Sequence, residues 1–198
     1  MKEFDVKQKA FLLTEGVQEA RVLRILDIGT QPQPENSKYP KDPKRQILAM
    51  FELANDQIEI EGEQKPAVVS LRVNFGVGDR SKMAKLVKAL GLAEKFKFSD
   101  MLGKPISLTI ENKQGSDGVT RSRIKDFAGL SPKVAATVPQ LVAESYLFDF
   151  DEPDLAILDS LSDYMKKMLQ KAAEYPGSKL EKLLGTPQTK ATLDEGII

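Results

Sequence analysis

Apolar residues recur at every second position through much of this chain, in runs separated by turn-forming residues. Residues 17–28, VQEARVLRILDI, make a β-branched-rich run that ends at Gly29, which predicts a long first strand. In residues 45–54, RQILAMFELA, the side chains of Ile47, Ala49, Phe51 and Leu53 share one face, and Asn55-Asp56 supplies a turn signal. The following QIEIEGEQK reads as an exposed hairpin arm. Residues 67–75, AVVSLRVNF, set Val69, Leu71, Val73 and Phe75 on one side and Val68, Ser70, Arg72 and Asn74 on the other, before Gly76 and Gly78 break the run.

From Ser81 the period changes to that of a helix. Met83, Leu86, Val87 and Leu90 fall together, Lys82, Lys85 and Lys88 face away, Ser81 suits the N-cap and Gly91 the stop. Residues 105–111, PISLTIE, and 119–125, VTRSRIK, alternate again across the turn-rich NKQGSDG, the pattern of a hairpin. Ile106, Leu108 and Ile110 share a face of the first; Arg121, Arg123 and Lys125 share one of the second, opposite Ser122 and Ile124. Residues 132–152 read as irregular. A helix is predicted from Pro153, with Ile157, Leu161, Met165, Met168 and Leu169 as its apolar stripe, ending near Tyr175-Pro176-Gly177; a shorter one spans residues 178–184.

The element order is therefore strand, strand, strand, helix, strand, strand. It predicts a mainly β chain (β + α) built as a five-stranded OB-fold barrel with a helix between strands 3 and 4 and a C-terminal helical extension. An α+β sandwich is the alternative. The barrel domain is expected over 1–152, the helical extension over 153–185 and a flexible tail over 186–198.

Composition narrows the chemistry. Cysteine and histidine are both absent, which removes disulfides, thiolate metal sites and the commonest general base, so a non-enzymatic role without a cofactor is expected. No apolar stretch approaches the ~20 residues of a membrane span and the first residues lack a secretory core, so a cytoplasmic location in a bacterial host is expected. The net charge is zero, yet the charges are segregated. Thirteen basic residues face five acidic ones between Lys65 and Lys125, whereas residues 144–163 hold seven acidic residues and no Lys or Arg.

A basic strand face beside an aromatic loop is the chemistry of single-strand binding, because every nucleotide carries a phosphate and every base a flat face. Arg121, Arg123 and Lys125 repeat at about 6–7 Å along one strand, and Arg72 joins them if the outer face of its strand is shared. The four-proline loop TQPQPENSKYPKDPK contributes Tyr39 as the stacking candidate, with Lys41, Lys44 and Arg45 as cations. Phe96 and Phe98 are expected in the core. The competing enzymatic arrangement is Asp100 with Glu111 and Lys113, the carboxylates and lysine of a Mg²⁺-dependent nuclease or junction resolvase.

On EARVLRILDIGTQ, ILAMFEL, VVSLRVNF, KMAKLVKAL, MLGKPISLTIENK and VTRSRIKDFAGL, the chain resembles bacteriophage single-stranded-DNA-binding proteins over residues 16–152. The resemblance implies binding of single-stranded DNA without sequence preference, in support of phage replication and recombination. Those proteins carry an acidic C-terminal tail that contacts replication partners. Here the last residues hold only Asp194 and Glu195, so either the internal acidic segment 144–163 does the partner work or this protein lacks that function. Self-association through the Met165/Met168 helix is a further expectation.

Overall fold

The computed structural model describes residues 11–33, 42–60, 62–76, 78–115 and 117–186. Among these residues six strands and five short helices follow in the order β1 (Gly16–Gln31), β2 (Lys44–Ile60), β3 (Glu63–Asn74), α1 (Lys82–Ala89), β4 (Pro105–Gln114), β5 (Thr120–Ala128), α2 (Pro132–Ala135), β6 (Tyr146–Phe148), α3 (Leu155–Ser160), α4 (Asp163–Leu169) and α5 (Lys179–Leu184). A 3-10 turn at Phe98–Met101 precedes β4. Two compact units divide the described residues: one of 11–27 and 46–148, the other of 28–33, 42–45 and 149–186.

In the first unit the strands stand in the order β3-β2-β1-β4-β5, with β2–β3, β1–β4 and β4–β5 antiparallel. The sheet curls until its two edge strands, β3 and β5, approach one another. Alternation explains what lies inside the curl: Ile47, Ala49, Phe51 and Leu53 of β2, Val69, Leu71 and Val73 of β3, and Ile106, Leu108 and Ile110 of β4 form the core. Helix α1 closes it with Met83, Leu86 and Val87, capped by the Ser81 hydroxyl, which accepts from the Ala84 N–H.

Two expectations are corrected at strand ends. The Asn55-Asp56 turn is instead a bulge, since β2 runs on to Ile60 through a register shift between Glu52 and Gln57. The local signal is overridden because Asp56 accepts hydrogen bonds from the Thr14 amide and hydroxyl, both at 2.8 Å, which anchor the segment ahead of β1. The first strand likewise continues through Gly29 to Gln31, with Gly29 at φ +68.

Residues 138–148, read as irregular, are organised by long-range partners that no local pattern announces. Arg21 donates to the Pro139, Gly103 and Val138 carbonyls at 2.6, 2.7 and 2.8 Å, and Glu52, only 6% exposed, accepts from the Val142 and Ala143 amides at 2.8 and 3.0 Å. β6 then pairs in parallel with β1, Arg24 opposite Tyr146, and the Arg24 guanidinium lies 4.6 Å from the Tyr146 ring centroid. Leu48 and Met50, on the same outward side of β2 as Glu52, are buried as well.

In the second unit the single helix predicted from Pro153 is two. α3 ends at Leu161, whose ψ of 139 is extended, and Ser162 caps α4 through the Met165 N–H. The sequence Asp159-Ser160-Leu161-Ser162-Asp163 is rich in residues that bond their own backbone, so a new N-cap competes successfully with helix continuation. α5 begins one residue after Ser178, its cap. Tyr175 is buried and donates its hydroxyl to the Gly185 carbonyl at 2.6 Å. Among the described residues no helix is long and apolar enough to cross a membrane.

Candidate nucleic-acid interface

β5 carries the cation stripe as its alternation requires. Arg121, Arg123 and Lys125 are exposed, while Ser122 and Ile124 turn inward. Ser122 accepts from the Leu13 N–H at 2.8 Å and donates to Asn112 Oδ1 at 2.6 Å; Ile124 packs on the core. Pairing with β4 sets Glu111 opposite Arg123 and Lys113 opposite Arg121.

That register neutralises part of the stripe. Arg121 grips Asp117 at the hairpin tip with two parallel bonds, Nη1 to Oδ1 at 3.0 Å and Nη2 to Oδ2 at 2.7 Å. The Arg121 guanidinium foremost, and then the Val119 amide, lower the Asp117 carboxyl to about 2, and Asp117 in turn raises Arg121. Arg123 bonds Glu111 Oε1 through Nε and Nη2. Lys125 has no carboxylate partner among the described residues.

Between β5 and β3 lies an open groove of about 390 Å³, lined by Arg121 and Arg123 from β5, Val68 and Ser70 from β3, and Phe11 and Leu13 from the segment ahead of β1. Arg72 stands on the same face of β3 as Val68 and Ser70, two residues beyond Ser70 and outside the groove's lining. The loop candidates are positioned differently. Tyr39 and Lys41 lie outside the described residues. Lys44 opens β2 and is exposed, and Arg45, half-buried, bonds Asp151 at 2.7 Å; both belong to the second unit.

Phe75, Phe98 and Phe96 form an edge-to-face cluster with centroids 5.3 and 5.6 Å apart, packed against the core as expected of Phe96 and Phe98. Phe11 was not legible as a surface aromatic, because the residues before it are charged and carry no strand or helix pattern.

The carboxylates of the nuclease arrangement have other duties. Asp100 accepts from the Lys97 amide at 2.8 Å in capping the 3-10 turn, and Glu111 holds Arg123. Among the described residues, no cluster of three carboxylates close enough to share a cation includes either. Much of the acidic segment also serves local structure: Asp149 accepts from the Asp151 and Glu152 amides, Asp154 caps α3, Asp151 holds Arg45, and Glu152 pairs with Lys179. Comparison with known proteins returns no family model, no curated protein and no solved structure that matches this chain.

Proposed function

We propose that this protein binds single-stranded DNA, largely without sequence preference, on the outer face of β5 and along the groove between β5 and β3, and that its curled sheet is an OB-type barrel. The strand order β3-β2-β1-β4-β5, the helix between β3 and β4 and the approach of β3 to β5 support the barrel reading. The phage proteins that the sequence resembles suggest the setting, replication or recombination, with partners recruited through residues 144–163.

The observation that carries the reading is the row Arg121, Arg123, Lys125 on one exposed strand face, its first two members bordering an open groove. Such a row follows a phosphate backbone, and an open groove leaves bases accessible to apolar side chains. The Arg121–Asp117 pair is solvent-exposed and the Arg123–Glu111 pair is open on its arginine side, and pairs of that kind are weak enough for a phosphate to replace the carboxylate.

Fluorescence anisotropy with labelled oligothymidylate and with a duplex of equal length, each at two salt concentrations, tests the proposal. Three phosphate contacts on a single strand give a slope of log K against log salt of about −2. Replacing Arg121, Arg123 and Lys125 together by Gln is expected to flatten that slope and weaken binding. Absence of binding to oligothymidylate at low salt overturns the reading.

A further inference from the structure

We propose that Phe11 is the stacking platform of this interface, the side chain on which a base of the bound strand rests. The inference deepens the single-strand reading above and rests on it. Phe11 is 58% exposed, whereas every other phenylalanine among the described residues is buried or half-buried. It lines the same groove as Arg121 and Arg123, so a strand whose phosphates meet those guanidinium groups brings its bases within reach of the ring.

The chain just after Phe11 is anchored at two residues. Two residues on, Leu13 is buried in the core, donates its amide to Ser122 Oγ at 2.8 Å and accepts from Asn112 Nδ2 at 3.0 Å. Thr14 is fixed to Asp56 by two bonds of 2.8 Å. Ser122 lies between Arg121 and Arg123 on the neighbouring strand, so the bond that seats Leu13 ties the aromatic's segment to the cation stripe. A large apolar ring left in water beside a fixed anchor is the preorganised geometry that stacking needs, since little chain entropy is lost when a base arrives.

The chain contains no tryptophan, so Phe11→Trp introduces a unique fluorophore. Titrating that full-length variant with an oligothymidylate of about 16 nucleotides is expected to quench its emission, saturating at the Kd that anisotropy of the labelled oligomer gives. Phe11→Ala is expected to weaken binding by about 5- to 150-fold, the equivalent of one stacked base. Phe11→Leu, which keeps apolar area but has no π face, should lose nearly as much, and Phe11→Tyr should bind like the parent. The ring is exposed, so the circular-dichroism melt of each variant should match the parent's. If the parent binds while Phe11→Ala or Phe11→Leu binds equally well and the tryptophan emission of the Phe11→Trp variant stays unchanged, the platform is refuted and the DNA reading survives. A parent that binds no oligomer overturns both.

Discussion

Exchanging Asp117 for Asn and Glu111 for Gln should make the protein bind single-stranded DNA more tightly. In the unbound protein both arginines are already engaged: Arg121 by the two oxygens of Asp117, Arg123 by Glu111 across the β4–β5 ladder. A phosphate arriving at either guanidinium must displace a carboxylate, and the displaced carboxylate then repels it. Arg121, Asp117 and Arg123 are exposed and Glu111 is half-buried, with relative side-chain exposures of 58%, 51%, 53% and 26%, so screening keeps each contribution small. Each neutral substitution is expected to raise affinity by about two- to five-fold. The pairs share no partner, so the double variant should gain about 4- to 25-fold. Asn is preferred to Ala at 117 because Asp117 Oδ1 also accepts the Val119 amide at 3.1 Å, and the amide oxygen preserves that turn. Anisotropy titrations of parent, single and double variants at one low salt concentration read the change, with thermal melts as the folding control. An unchanged or weakened affinity in a double variant that melts like the parent would show that these arginines do not lie on the DNA path.

The same pairs predict the response to pH. Because Asp117 is lowered to about 2, it stays ionised wherever the fold is normally handled; what it adds to stability is present above the ordinary carboxylate value of 3.8 and is lost as pH falls from there toward 2. With no histidine to titrate, DNA affinity should be flat from about pH 5 to 8, and a rise of more than about three-fold toward pH 5 contradicts the assignment. Gly29→Ala should destabilise the second unit by about 2–4 kcal/mol, seen as a lower denaturant midpoint, because φ is +68 and the new Cβ would stand 2.7 Å from Ala172 Cβ. Glu52→Gln should cost about 1.5–3 kcal/mol by weakening two charge-assisted bonds to residues 142 and 143, and hydrogen exchange at those two amides should accelerate first. Burial raises the Tyr175 phenol above its ordinary value of 10.0, so its contribution is complete below that value and is lost as pH rises through the higher folded one; Tyr175→Phe should remove this alkaline loss in a pH-dependent melt.

Period alone determined the core faces of three strands, the cation stripe of a fourth, and α1. The core faces of β2, β3 and β4, the helix carried by Met83, Leu86 and Val87, and the outward row Arg121, Arg123, Lys125 all follow from whether side chains repeat every 2 or every 3.6 residues, a property each segment carries by itself. Tertiary structure decided what depends on residues distant in sequence. It set Glu111 against Arg123, because register across the hairpin, and not the spacing within β5, puts the two opposite each other. It turned Asn55-Asp56 into a bulge that anchors Thr14, and it made a strand of residues 146–148 by giving them a partner 122 positions away in β1. It also left Phe11 beside the groove. An aromatic in a mixed charged segment has no period to place it; the bonds that tie Leu13 and Thr14, two and three residues on, to strands far along the chain bring the segment to the groove that Phe11 lines.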